Sequence, residues 1–285
     1  MIALRGPDAI AFAHAQFSSD VRAQANGHWQ FSAWLSPQGR VRAFFHLLRD
    51  DDEHLRLLLR GAHARDMATA LQRFVFRSKV EILVLDEIGV FGCTDAQVVA
   101  EFCGDVAADS IITGGPPCTN LSISADPSRW LMMFDDASAQ SAPTSHDADR
   151  NPWILADIRA GLIELAQALE DQFLPHWLGL TRLGAVSVTK GCYPGQEIMA
   201  RLHFKGGNKR SLYLVEFQGD HAPMPGTQIV CSRQPQETAG AIIIAATTSA
   251  KQTIALATLS DDLHAMPLQI IGQDMSATGA RTRFD

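Results

Sequence analysis

Eight consecutive residues carry the strongest chemical suggestion in this chain: Lys190-Gly191-Cys192-Tyr193-Pro194-Gly195-Gln196-Glu197. A cysteine set between two glycines can sit at the tip of a sharp turn, because glycine enters backbone conformations closed to other residues. Lys190 and Arg201 supply positive charge nearby, and a cationic neighbour favours the thiolate over a thiol whose free pKa is about 8.5. The β-like run Val186-Ser187-Val188-Thr189 delivers the chain to this turn, and Gln196-Glu197-Ile198-Met199-Ala200 opens a helix beyond it. From these residues alone two readings stand: an exposed, activated thiol, or a tight structural turn with an incidental cysteine.

The surrounding chain must position that turn. Of 285 residues, 46% are hydrophobic, enough for a sizeable core in one large or two to three smaller domains. The formal net charge of −7 argues against a general nucleic-acid coat, while leaving room for a local basic patch. No apolar run approaches the roughly 20 residues of a membrane span. The first 20 residues lack a signal-peptide core, so a cytoplasmic protein with no membrane partner is expected. The five cysteines (Cys93, Cys103, Cys118, Cys192 and Cys231) form no C-x-x-C pair and are expected to be reduced thiols. Cys93, Cys103 and Cys118 read as small buried hydrophobes. The ten histidines form no zinc pattern, so no metal is expected.

Pattern along the chain indicates an α+β protein. Residues 29–35 and 40–48 flank the turn Ser36-Pro37-Gln38-Gly39 as a hairpin, and 55–59 forms another strand. Met67, Leu71 and Phe74 recur at helical spacing over 64–74. Residues 80–85 and 88–91 suggest a second hairpin, 96–102 a short helix, 129–134 a strand, and 135–150 an exposed loop. Leu162, Leu165, Ala166 and Leu169 are spaced for a helix. Beyond Gly206, short strands at 212–217, 227–231, 241–247, 253–259 and 268–271 read as a small barrel or sandwich.

Set against known families, the run 190–197 matches the K-G-C-Y-x-G-Q-E signature of the YgfZ family, relatives of the T protein of the glycine cleavage system. Phe12–Val21, Ser36–Val41, Phe76–Ile82, Trp153–Gly161, Phe173-Leu174-Pro175, Gly184–Val188 and Arg201–Leu212 resemble further family blocks in order, with Ala15 where glycine is usual. The resemblance implies a T-protein-like folate-binding fold: two α+β units, at 1–93 and 94–205, with a C-terminal antiparallel β-barrel at 206–285. It implies tetrahydrofolate or a derivative as ligand, with Trp153 stacking on it. The glutamate that reads the pterin in T proteins is replaced by Arg159. Asp157, two residues away and on the same side of an extended chain, could substitute. Gln196, Glu197 and Arg201 complete the ligand set, Cys192 and Lys190 are the reactive pair, and Gly191, Tyr193 and Gly195 shape the turn.

The resemblance further implies an accessory role in assembling or repairing iron–sulfur clusters, including in enzymes that thiolate tRNA, with Cys192 as working thiol and iron–sulfur enzymes or assembly proteins as transient partners. The alternative is a true aminomethyltransferase, whose carboxylate would correspond to Asp66. The cations Arg201, His203, Lys205, Lys209 and Arg210 are expected to be a solvated strand edge, or to hold a folate glutamate tail or an RNA backbone.

Overall fold

A computed structural model describes residues 1–108, 111–115, 118–125, 128–134, 150–273 and 275–284. The loop expected at 135–150 therefore lies outside the described residues, apart from Arg150. The chain divides into two compact units. The first comprises Met1–Ser32, Phe45–Leu59 and His63–Ala148, and the second Ala33–Phe44, Arg60–Ala62 and Asp149–Asp285.

Strands β1 (Ile2–Arg5), β2 (His28–Leu35), β3 (Val41–Arg49), β4 (His54–Leu59) and β5 (Glu81–Val84) form one sheet in the order β2-β3-β4-β1-β5. The hairpin read at Ser36–Gly39 joins β2 to β3, each of which runs from one unit into the other. In the first unit the sheet carries helices α1 (Ala9–Gln16) and α2 (Ala64–Gln72). Phe17 meets Phe45 edge to face at 5.0 Å, and Trp29 meets His46 at 5.0 Å. Such edge-to-face contacts suit the positive ring edge to the negative face.

The second hairpin expected over 80–91 does not form. β5 pairs with β1, with Val84 opposite Ile2, whereas β6 (Gly89–Cys93) pairs with β9 (Ser128–Phe134) in a separate sheet ordered β6-β9-β8-β7. Periodicity identifies strands but not their partners, and here the short link between them crosses from one sheet to the next. β7 (Ile112–Gly115) and β8 (Cys118–Ala125) complete that sheet, and α3 (Ala96–Cys103) covers it through Val99 and Cys103, packed with Trp130, Met132 and Phe134. The fully buried Asn120 accounts for its amide by donating to the Asp105 carbonyl at 2.8 Å and accepting from the Ala107 N–H at 2.9 Å. Against the expectation of reduced thiols throughout, Cys103 and Cys118 form a disulfide, the end of α3 meeting the start of β8. Cys93, Cys192 and Cys231 are free.

In the second unit, α4 (Asn151–Arg159) is followed by an extended stretch, 162–166, where helical spacing had suggested a helix. The backbone there is used elsewhere: the Leu165 N–H donates to the Arg60 carbonyl at 2.9 Å, and the Ile163 carbonyl accepts from Arg60 Nε at 2.9 Å. A helix would claim those same groups for itself. After 3-10 turns at Gln167–Leu169 and Pro175–Leu178 the chain reaches α5 (Gln196–Lys205).

Six strands close the chain: β10 (Arg210–Gln218), β11 (Gln228–Cys231), β12 (Gln234–Thr247), β13 (Gln252–Ser260), β14 (Leu268–Ile270) and β15 (Ala277–Phe284), ordered β14-β11-β12-β13-β10-β15. A bridge between Gln269 and Ser276 nearly closes this antiparallel sheet into a barrel. Its interior follows the two-residue period of a strand: Tyr213, Val215 and Phe217 from β10 meet Ala255, Ala257 and Leu259 from β13. The opposite face of β13 is buried as well, because α4 packs against β12 and β13.

One glycine is demanded by this packing. A Cβ at Gly240 on β12 would lie 1.8 Å from the Thr258 carbonyl oxygen and 2.9 Å from Leu259 Cδ2. Gly240→Ala is therefore expected to lower the stability of the chain by about 3 kcal/mol, at the upper end of overpacking costs. Urea titration followed by tryptophan fluorescence checks this; an unchanged midpoint would mean that β12 yields freely.

Candidate functional site

The signature loop rests on a contact between two backbones. Gly195 has φ 81° and caps the N-terminus of α5; a Cβ there would stand 2.6 Å from the Gly39 Cα and 2.7 Å from the Ser36 carbonyl oxygen. Gly39, at φ 74°, is equally constrained, since its own Cβ would meet Ile198 Cβ at 3.0 Å. The Ser36–Gly39 turn fits against α5 because neither backbone carries a side chain where they touch. Gly191 has no such demand. Its φ lies outside the left-handed region and a Cβ would meet nothing within 4 Å. The symmetric role expected for the two glycines thus belongs to Gly195 alone.

Between them the chain folds into a small hydrogen-bonded knot. Tyr193 Oη donates to the Ser187 carbonyl at 2.8 Å, Ser187 Oγ accepts from the Lys190 N–H at 3.2 Å, and Gln196 Nε2 donates to the Lys190 carbonyl at 3.1 Å. Lys190 is only 6% exposed, with its ammonium 4.7 Å from the centre of the Tyr193 ring, a cation–π contact. Burial pushes the Tyr193 phenol up to about 12, so the hydroxyl stays protonated and donating across the physiological range. Cys192, by contrast, is exposed and free. The loop therefore turns its lysine inward and its thiol outward. Gln196, expected among the ligand contacts, ties the knot to α5, while Glu197 and Arg201 are exposed on that helix. The strand edge expected over 201–210 is instead the last turn of α5, a glycine link and the first residue of β10.

Trp153 and Asp157 lie on α4, not on extended chain, so the geometry first supposed for Asp157 and Arg159 is corrected. Residues four apart on a helix share a face, and residues two apart do not. Trp153, half-buried, and Asp157, buried, are on one side; Arg159 is exposed on another. Asp157 Oδ2 accepts from Arg60 Nη2 at 2.6 Å, with both side chains buried. Arg60 went unremarked in the sequence. Its signal was an arginine ending the leucine-rich strand Leu57-Leu58-Leu59 just before Gly61, a residue held at φ 95° against the Leu165 backbone. Ser187, read only as part of a β-like run, is a centre of the knot. Asp66 is exposed in the first turn of α2, a position that the helix dipole favours for any acid.

For a folate, these residues supply an aromatic platform at Trp153 and a cation at Arg201. They supply no uncommitted carboxylate at Asp157 for the pterin, since that group answers Arg60. Among the described residues, no helix is long and apolar enough to cross a membrane.

Comparison with known proteins places this geometry. No protein-family model matches the chain. The chain is 29% identical over 232 residues to an uncharacterized protein of Haemophilus influenzae, covering 80% of this chain and 75% of that one. It is 28% identical over 238 residues to the tRNA-modifying protein YgfZ of Photorhabdus laumondii, covering 80% and 72%. The crystal structure of the glycine cleavage system aminomethyltransferase T from Bartonella henselae superposes with a TM-score of 0.78 at 15% identity, over 97% of this chain and 81% of that one. The resemblance to YgfZ is thus borne out, and the fold is that of a T protein with its C-terminal antiparallel barrel.

Two outcomes follow from the site's construction. Gly195→Ala combines a left-handed backbone with a backbone clash and is expected to cost about 2 kcal/mol or more, whereas Gly191→Ala leaves the denaturation midpoint within about 0.5 kcal/mol of wild type; equal effects would contradict the assigned roles. Asp157→Ala leaves the Arg60 guanidinium buried without its carboxylate and is expected to cost about 3–5 kcal/mol, while the double change Arg60→Met with Asp157→Leu recovers most of that loss. Chemical denaturation of the four variants measures both.

Proposed function

We propose that the protein is a tetrahydrofolate-binding accessory protein for iron–sulfur cluster assembly or repair, influencing tRNA modification, with Cys192 as its functional thiol. The observation that carries this reading is the orientation of the signature loop: a rigid, hydrogen-bonded turn that buries its lysine and leaves its one cysteine in solvent. A thiol that forms transient bonds with a partner or a sulfur species must be reachable, and a merely structural cysteine in so tight a turn would more naturally face inward. The similarity to a protein named for tRNA modification supports the pathway. The T-protein fold supports the ligand.

In this reading Trp153 stacks on the flat pterin or aminobenzoyl ring, and Arg201 with Glu197 contacts the polar end of the ligand from α5. Lys190 acts from within: its charge fixes Tyr193 and hence the loop that presents Cys192. When bound, tetrahydrofolate would supply one-carbon carrier chemistry, and the chain's own part is to hold and orient it. The aminomethyltransferase reading shares the fold but depends on Asp66, whose exposed place at a helix start is explained without catalysis.

Two variants separate ligand from thiol. Trp153→Ala is expected to weaken tetrahydrofolate binding by about tenfold or more in calorimetric titration, as loss of one aromatic stacking partner implies. Cys192→Ala is expected to keep that affinity within about twofold yet fail to restore tRNA thiolation in cells lacking the protein. Full restoration by Cys192→Ala would remove the thiol from the function, and unchanged affinity of Trp153→Ala would remove the stacking site.

A further inference from the structure

The folate reading leaves most of the basic segment beyond α5 unused. From Ile198 to Val215 the sequence has no aspartate or glutamate. Within it Lys205 ends α5, Gly206 and Gly207 turn the chain at φ 66° and 91°, Lys209 follows, and Arg210 begins β10. Lys205 and Lys209 are exposed. Among the described residues, none of Lys205, Lys209 and Arg210 is in an ion pair. Arg210 sets its guanidinium 5.8 Å from the centre of the Trp177 ring, where Arg40 lies at 5.3 Å, so a second cation from the Ser36–Gly39 turn joins the patch. Arg42, further along that strand, is neutralised by Asp171 at 3.0 Å and does not contribute.

Beside Lys205 in the last turn of α5 stands Phe204, 73% exposed, held edge to face against His203 at 4.9 Å. Uncompensated cations and an exposed aromatic ring in one short segment are the two parts of a site for unpaired nucleotides: charge for the phosphates, a π-face for a base.

We propose that the surface formed by Phe204, Lys205, Lys209, Arg210 and Arg40 binds RNA at an unpaired stretch, with a base stacked on Phe204 and the cations on flanking phosphates. The overall charge of −7 does not oppose this. At physiological salt the screening length is about 8 Å, so distant carboxylates are screened while phosphates in contact with the lysines are not. An acidic peptide would satisfy the cations but leave the Phe204 face without a partner, which favours RNA.

The test is fluorescence anisotropy of the full-length protein with a labelled bulk tRNA preparation, repeated at about 50 and 200 mM salt. Wild type is expected to bind with strong salt dependence. Lys205→Gln with Lys209→Gln is expected to make the log–log salt slope shallower by about 1.4, at roughly 0.7 per lost single-strand phosphate contact. Phe204→Ala is expected to weaken binding by about 5- to 150-fold while leaving the slope unchanged. Unaltered tetrahydrofolate affinity in these variants shows that they fold and that the folate site is separate, so failure of either reading can be told from failure of the other. Absence of wild-type binding at the lower salt, indifference to Phe204→Ala, or displacement of the RNA by poly-glutamate at equal charge concentration would each overturn the proposal.

Discussion

A guanidinium removed from water must find partners for its charge and its N–H groups, and in this protein the partners of Arg60 hold the second unit in shape. Arg60 reaches Asp157 on α4 through Nη2 and the Ile163 carbonyl through Nε, while its own backbone bonds Phe44 on one side and Leu165 on the other. One side chain and one peptide unit thereby fix a helix, an extended segment and a strand end. The cost of burying an ion pair is large, and it is repaid only where hydrogen bonds surround it. Here they do, and Trp153, one turn before Asp157 on the same face of α4, inherits its orientation from that arrangement.

The signature loop depends on a second constraint of a different kind. Gly39 and Gly195 let two turns approach within ordinary reach of neither's side chain, so α5 starts at a fixed place beside the β2–β3 hairpin. From that start Gln196 reaches back to Lys190, and Tyr193 to Ser187. The loop has few ways to rearrange without losing a half-buried hydrogen bond, each worth about 1 kcal/mol net. Cys192 is thus presented by a rigid support, a condition that positioning a reactive group requires.

Much of this was legible in the residues. The β2–β3 turn, α2, α3, the start of α5 and the barrel strands β10 to β14 announced themselves through period and turn chemistry, and the ordered family blocks indicated the fold. What was hidden is long-range. The spacing of Leu162, Leu165 and Leu169 gave a helical pattern that the backbone demands of Arg60 overrode. The strands at 81–84 and 89–93 were visible, but their assignment to different sheets was not, because pairing is decided by partners distant in sequence. The disulfide between Cys103 and Cys118 joins a helix end to a strand start that nothing local brings together. The inward turn of Lys190 in the signature loop and the commitment of Asp157 to Arg60 are facts of packing that spacing along the chain does not carry.

The near-closure of the C-terminal barrel has a consequence for how this chain behaves in a crowded solution. An open six-stranded sheet would offer two lines of unpaired peptide groups, each a template on which another chain could add a strand and begin to aggregate. Here the two outermost strands, β14 and β15, are linked at one point, through the Gln269–Ser276 bridge at the start of β15. What remains of β15 is blunted by Arg281, which donates to the Met266 carbonyl at 3.0 Å, and by the charge of Arg283. Near-closure thus leaves this sheet less open edge backbone than a flat sheet of six strands would have.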